Sequence, residues 1–540
     1  MVSFSQFQWG GSTLMFPGVP GGPPPQQAPY QVYCSSSLGN DANDGMSPAT
    51  AKATYAAAYA LMRSGIEDHL LMKWGDTWTE VPPVWTTSGR SMIRPQKLGT
   101  YGSQLTGARP KIQTGTSSGI VTSGAVSYVT FENVWLTAQT YNATVGAPIG
   151  INVADTAAYI TVQGCKLSNL VGGVKVEPNV AALHSAQHIT IYRNNVEDIY
   201  AAAGTACHGV YVSRTNFANI DDNVLSKIGE VDPGVEHYGI LIRSGYTYWC
   251  YDVTTSGNLF IEVAGKGLCN RSTRYHGEYN TYVRCGIAVE MDGLDPVNGN
   301  AQEGVVDSSE RSATILEPRD TNGSNARGWG FAFSHCGSPF ESNSVIAPEA
   351  LYVGTGGTST DPHPFVVWPT YPPAAGLQMR HVAMQNWRVY EPGGQCKINE
   401  HPTNDPFRTN TFDGSRIYST GVHYVIEHNL DNGSRWNMGS NHLLSGSASG
   451  SRYRYNGVSE NQATWKAHLG FATGTDENVS AADFPDATRT IATYDTVVGG
   501  AGTFADFVAL VRTQTLQSWR PELGGRAVGS WIRVGHGFST

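Results

Sequence analysis

Glu290 and Asp292 stand two apart in the segment VEMDG. On an extended strand, residues i and i+2 share a face, roughly 6.6 Å apart along the backbone. Paired carboxylates at roughly 5 to 9.5 Å suit hydrolysis of a glycosidic bond, one as acid and the other as base or nucleophile. Close carboxylates also raise one of the two pKa values, which the acid needs. If the surrounding strands stack as coils about 4.8 Å apart, Glu290 also falls beside Arg271, and the two then read as a structural ion pair. A second chemistry is β-elimination, which neutralises a uronate carboxylate and removes the proton beside it. Lys266 and Arg271 offer the cations, and His237, Tyr238 and His276 are acid or base candidates on nearby coils. A third reading needs no bond cleavage. His208, Tyr238, Arg243, His276 and Trp329, with Arg271 and Glu290, then line a sugar-binding groove, aromatic faces stacking on rings and arginines holding acidic groups.

Those side chains converge only if the chain is a solenoid. Residues 81–430 hold no long helical pattern but many short alternating segments, such as VSYVTFENVWLTA, AQHITIYRNNVEDI and TTSGNLFIEV. Each joins a short strand, a turn with Asn or Gly, and another strand, a beat expected of stacked coils. Asn194, Asn195, Asn219, Asn223, Asn258 and Asn280 fall at the expected corners, where asparagine tolerates the left-handed conformation and bonds its equivalent one coil away. Five segments align on Gly209, Gly239, Gly267, Gly286 and Gly330, at intervals of 30, 28, 19 and 44 residues. In that register Val210/Val212, Ile240/Ile242, Ile287/Val289 and Phe331/Phe333 point inward. Ser213, Arg243, Arg271, Glu290 and Ser334 point outward, as do His208, Tyr238, Lys266, Cys285 and Trp329.

Composition agrees with an all-β chain. Of 540 residues 62 are Gly, only 15% are charged, and Tyr, Val, Thr, Ser and Asn abound, which excludes a helical bundle or coiled coil. A formal charge of -9 argues against a nucleic-acid partner, and no apolar run is long enough to span a membrane. The start MVSFSQFQWGG has no basic n-region or long apolar stretch and does not read as a secretion signal. Eight widely spaced cysteines read as buried small hydrophobes rather than a disulfide scaffold. His363, His381, His401, His423 and His428 show no ligand spacing, so no metal is expected. The Asn/Asp turn at 40–44 could take calcium but reads better as turn chemistry, and no other cofactor is implied.

Four regions are expected: an aromatic docking peptide and Pro/Gly spacer at 1–30, an N-terminal cap at 31–80 with a helix over Ala51–Arg63, the solenoid at 81–430, and a C-terminal connector and helical cap at 431–540. In the last, Phe504, Phe507, Leu510, Val511 and Leu516 mark a helical face, and Val528, Trp531 and Ile532 a second element.

The stretch Tyr33–Glu80, with its YxxSxxxGNDANDG-like turn, alanine-rich segment and Gly75-Asp76-Thr77, resembles the opening of right-handed parallel β-helix proteins of the pectate-lyase-like group. YGSQLTGARPKI at 101–112 and SWRPELGGRAVGSWIRVGHG near the C-terminus are similar to the same group. The resemblance implies an all-β right-handed parallel β-helix solenoid with small helical caps. It implies a polysaccharide partner, and Lys266 and Arg271 resemble the basic pair of its lyases, although the calcium carboxylates of such lyases are missing. The lack of a secretion signal points to a phage tail spike or fibre that binds, and in some cases depolymerises, a host cell-surface polysaccharide. Such a protein is a homotrimer located in the virion, docked on a tail or baseplate protein through residues 1–30. The alternatives are a cellular polysaccharide lyase or glycoside hydrolase, extracellular by a non-classical route, and a structural virion component.

Overall fold

Glycine and asparagine corners break the chain into short strands that each coil repeats. The computed structural model describes strands Phe4–Trp9 and Ser12–Pro17. Between residues 27 and 512 it also describes all but a set of segments, the longest being 139–147, 294–304, 352–360, 369–378 and 400–409. Residues 513–540, with the expected element at Val528, Trp531 and Ile532, lie outside the described residues, as do His381 and His401. The two N-terminal strands pair antiparallel, Phe4 opposite Pro17.

The body is a right-handed parallel β-helix. Its three large sheets have 14, 13 and 10 strands, and a typical coil gives one strand to each. His208–Ser213 enters the 13-stranded sheet, Thr215–Asp221 the 14-stranded sheet and Val224–Ile228 the 10-stranded sheet. The 14-stranded sheet begins with Gln31–Cys34, paired in parallel with His69–Lys73. Alternation places Val210, Val212, Ile240, Ile242, Leu268, Val289 and Met291 in one contiguous core. The seven described cysteines are all buried, with no disulfide among them.

From strand Ser127–Glu132 onward one corner is fixed in length. Between the 14- and 10-stranded sheets only two residues intervene on coil after coil, such as Asp222 and Asn223 between Asp221 and Val224. The first takes left-handed φ, as at Arg193 (52°), Asp222 (55°), Gly257 (63°) and Tyr279 (56°). The second is a ladder asparagine; contrary to expectation it is not itself left-handed, because the residue before it takes the turn. Asn194 Nδ2 donates to Asn223 Oδ1, Asn223 Nδ2 to Asn258 Oδ1, and Asn258 Nδ2 to Asn280 Oδ1, each at 3.0 Å. The ladder ends where Asn280 Nδ2 donates to the buried Glu310 at 3.1 Å. Asn195 and Asn219 are not corner residues. Asn195 opens a strand and donates to Glu197, and Asn219 faces outward mid-strand, accepting from Thr254.

The connections into and out of the 13-stranded sheet vary instead. Entry ranges from Val171 alone to the stretch 138–148, and exit from Arg214 alone to 293–304.

The expected helix over Ala51–Arg63 is shorter, a 3-10 turn at Pro48–Thr50 and an α-helix at Tyr55–Tyr59. Thr54 is extended and its side chain caps Ala57 N–H, while the Asp41 carboxylate accepts from Ala53 and Thr54 N–H. Those bonds hold the preceding residues out of the helix. They also commit Asp41 of the acidic turn to backbone donors. At the far end, helix Gln462–Leu469 closes the core with Trp465, whose Nε1 donates to His428 at 3.1 Å. Helix Phe504–Arg512 follows, with Arg284 over the Phe504 ring at 3.3 Å and Phe507 buried.

Candidate functional site

Strands Tyr238–Arg243, Lys266–Arg271 and Ile287–Asp292 carry most of the singled-out residues on the outer face of the 13-stranded sheet. Register stacks His208, Tyr238, Lys266, Ile287 and Trp329 in one column. A second column runs Tyr211, Leu241, Cys269, Glu290, Ala332. The third holds Ser213, Arg243, Arg271, Asp292 and Ser334.

Lys266 is the hub. Its ammonium pairs with Glu290 and lies 2.9 Å from Glu236. Glu290 further accepts from Ser334 Oγ at 2.7 Å and Cys269 Sγ at 3.6 Å. Arg271 donates to Asp292 through Nε at 2.8 Å, with Nη2 at 2.6 Å. Tyr238 OH donates to Glu236 at 2.9 Å, and the His208 ring stacks on Tyr238 at 5.3 Å. Tyr211 OH reaches Glu177, itself 2.5 Å from Lys175.

Several expectations are corrected here. Glu290 pairs with Lys266, and Arg271 with Asp292, because the residue equivalent to Gly267 is Ala288 rather than Gly286, so the assumed register slips by two. Cys285 therefore packs in the core instead of facing out. Ile287, expected inside, joins Trp329, Ala332 and Val366 in a separate outer cluster. His237 is wholly buried against the Cys207 thiol at 3.2 Å and does not reach the face. His276 belongs to the 14-stranded sheet, away from Glu290. Glu290, Asp292 and Lys266 do face away from the core, yet each is at most 2% exposed. Glu236, which sequence reasoning missed, is the member that reaches solvent, with a 39% exposed side chain. Its signal was available, a carboxylate two residues before Tyr238 at the mouth of an aligned strand.

Burying this many charges outside the core is costly, several kcal/mol per ion before pairing. Packing does not demand it, because the next coils fill the same columns with Ile287, Trp329, Ala332 and Val366.

No protein-family profile matches the chain, and no curated protein does. Among solved structures it is similar to the tailspike protein of E. coli bacteriophage HK620 in complex with a pentasaccharide. The identity is 9%, over 75% of this chain and 73% of that one, with a TM-score of 0.47. It is also similar to a GH136 lacto-N-biosidase from Eubacterium ramulus (12% identity, 80% and 67% covered, TM-score 0.33). A third is the pectate lyase Pel9A (12% identity, 66% and 79% covered, TM-score 0.36).

Electrostatics fix the protonation states on this face. Burial would raise Glu236, but Lys266 and the Tyr238 hydroxyl outweigh it and hold the carboxyl down to about 2. Burial would strip the proton from Lys266, yet Glu290, first among its neighbours, raises it well above the ordinary lysine range. Arg271 is raised in the same way by Asp292. Burial pushes the Tyr238 phenol up and pulls His208 down to about 3. At neutral pH the imidazole of His208 is uncharged, the phenol is protonated and Lys266 cannot accept a proton. Cys269, Glu290 and Asp292 bring ligand atoms within 4.8 Å of one another. Their carboxylates already meet Lys266 and Arg271, and burial holds the Cys269 thiol protonated. The set thus serves the protein's own cations rather than a metal.

Proposed function

We propose that this protein binds an extended polysaccharide and acts on it, with the outer face of the 13-stranded sheet as the recognition surface. One observation carries the reading. The buried charge cluster of Lys266, Glu290, Arg271 and Asp292 sits on the face of the sheet whose two edges take connections of varying length, while the opposite corner stays at two residues. Connections of that kind on a rigid scaffold are where binding function concentrates. Glu236 then offers the contact edge, an ionised acceptor for sugar hydroxyls held in place by Lys266 and Tyr238. With His208 held neutral, the Tyr238 phenol protonated and Glu236 ionised beside Lys266, the face suits recognition and orientation.

Glu236→Gln is expected to weaken binding to immobilised cell-surface polysaccharide by about 10-fold or more, the scale of a lost charged hydrogen bond, while folding is unchanged. Binding that survives the substitution sinks this surface. The same polysaccharide, assayed for new reducing ends and for the ultraviolet absorbance of an unsaturated uronate, separates hydrolysis from elimination, and neither signal leaves a binding protein. Docking of residues 1–30 on a phage tail and a homotrimer are separate proposals that stand on the sequence resemblance. Sedimentation of the full chain as a single 58.0 kDa species overturns the trimer.

A further inference from the structure

A second cleft opens on a different sheet. Asp221, Ser256, Glu278 and Arg311 are register partners on successive coils of the 14-stranded sheet. With Thr254, His276 and Ser309 they line a cleft of about 500 Å³. It shares no residue with the charged face described above.

Asp221 is half-buried, and its Oδ1 has no hydrogen-bond partner. Its neighbour Asp222 lies 3.6 Å from Arg193, so the guanidinium is directed at the other carboxylate. Tyr192 precedes Asp221 in its column, and Glu278, His276 and Arg311 face it across the cleft. Burial, then Asp222, raise Asp221 to about 7, with Glu278 adding to the shift. At neutral pH about half of the molecules therefore still carry this proton. Glu278 is exposed, two coil spacings away, about 9.6 Å of backbone. That backbone spacing is close to the upper limit, roughly 9.5 Å between carboxyls, at which an acid and a base hold a water between them. His276 is oriented by a 3.0 Å contact from Nδ1 to Ser309 Oγ.

We infer that this cleft is an acid–base site for hydrolysis of an uncharged polysaccharide, with Asp221 as the acid and Glu278 as the base. The short hydroxyls of Thr254, Ser256 and Ser309 match a hydroxyl-rich chain, and Glu278 against Arg311 leaves the cleft without net charge. In the reaction Asp221 gives its proton to the glycosidic oxygen as the bond from that oxygen to the anomeric carbon breaks. Water supplies the new bond to the carbon and its proton passes to Glu278. Solvent then carries one proton from Glu278 back to Asp221, so one water is consumed per bond. Attack from the side opposite the leaving group inverts the anomeric centre.

The inference rests on the polysaccharide reading but uses a different sheet, so the two fail separately. The test takes the full chain and an array of uncharged oligosaccharides, read by mass spectrometry for cleavage and by NMR for the anomer released. The expected result is cleavage with inversion, a rate that falls above about pH 7 as Asp221 loses its proton, and a kcat reduced roughly 10²–10⁴-fold by Asp221→Asn and by Glu278→Gln. Both variants should unfold at the wild-type denaturant midpoint. Cleavage that persists in both variants, a retained anomer, or no cleavage of any uncharged oligosaccharide by correctly folded protein overturns the assignment. Loss of polysaccharide binding in Glu236→Gln with cleavage intact would leave it standing.

Discussion

Lys266→Ala should lower the unfolding free energy by about 3–5 kcal/mol, the cost of removing one partner from a buried ion pair. Among the described residues the substitution leaves Glu290, 1% exposed, with the Ser334 hydroxyl and the Cys269 thiol as donors. It also removes the cation that holds Glu236 ionised. The Coulomb attraction lost here acts in a low-dielectric setting, whereas the carboxylate's lost hydration is not restored. Replacing both partners tests the origin of the effect. Lys266→Met with Glu290→Met removes both charges, so most of the loss should return, as expected when an apolar pair substitutes for a buried ionic one. Urea unfolding of the three proteins decides it. A Lys266→Ala protein within about 1 kcal/mol of wild type would mean the cluster is hydrated and the account of its protonation states is wrong.

Asn258→Ala should cost a similar amount, about 3–5 kcal/mol, for a different reason. The amide accepts from both Asn223 N–H and Asn223 Nδ2, and donates to Ile220 O and Asn280 Oδ1. Removing it strands polar groups on two neighbouring coils, each worth about 1–3 kcal/mol when buried without a partner. Asn219→Ala is the control, since that side chain faces outward and accepts from Thr254; its loss should stay under about 1 kcal/mol. Equal losses at the two positions would show that the corner ladder adds no stability beyond an ordinary surface hydrogen bond.

Much of this fold is written in short-range patterns. The alternation of Val210/Val212 and Ile240/Ile242 follows from a two-residue side-chain period, and the asparagine corners from amides that bond their equivalents one coil away, the left-handed turn falling on the residue before each. The coil register is less legible, and glycine misled it. Gly209, Gly239 and Gly267 each sit where an added Cβ would meet a side chain of the 10-stranded sheet, such as Tyr282 Cδ1 at 2.7 Å from Gly267. The position asks for a small residue, and Ala288 satisfies it one coil later. Taking Gly286 as the marker moved the alignment by two residues. That slip preserves which face a side chain occupies, so Glu290 stayed outward, but it exchanges ion-pair partners. The cleft of Asp221 and Glu278 was invisible for another reason. Its members belong to separate coils, and only register unites them. The ladder held the key: Asp221, Ser256 and Glu278 each stand two residues before a ladder asparagine, Asn223, Asn258 and Asn280. Exposure was illegible too, because outward on a strand does not mean open to water, as Lys266 and Asp292 demonstrate.

The contrast between the invariant corner and the variable connections gives the molecule unequal freedom to change. A loop pays only for closing its ends, and each doubling of its length costs about 0.6 kcal/mol. Lengthening the stretch 138–148 or 293–304 is therefore thermodynamically slight. One extra residue beside Asn223 would instead break bonds on both adjacent coils. Evolvability is concentrated on one flank. Length can drift there through insertion and deletion, while the opposite seam keeps count of the coils.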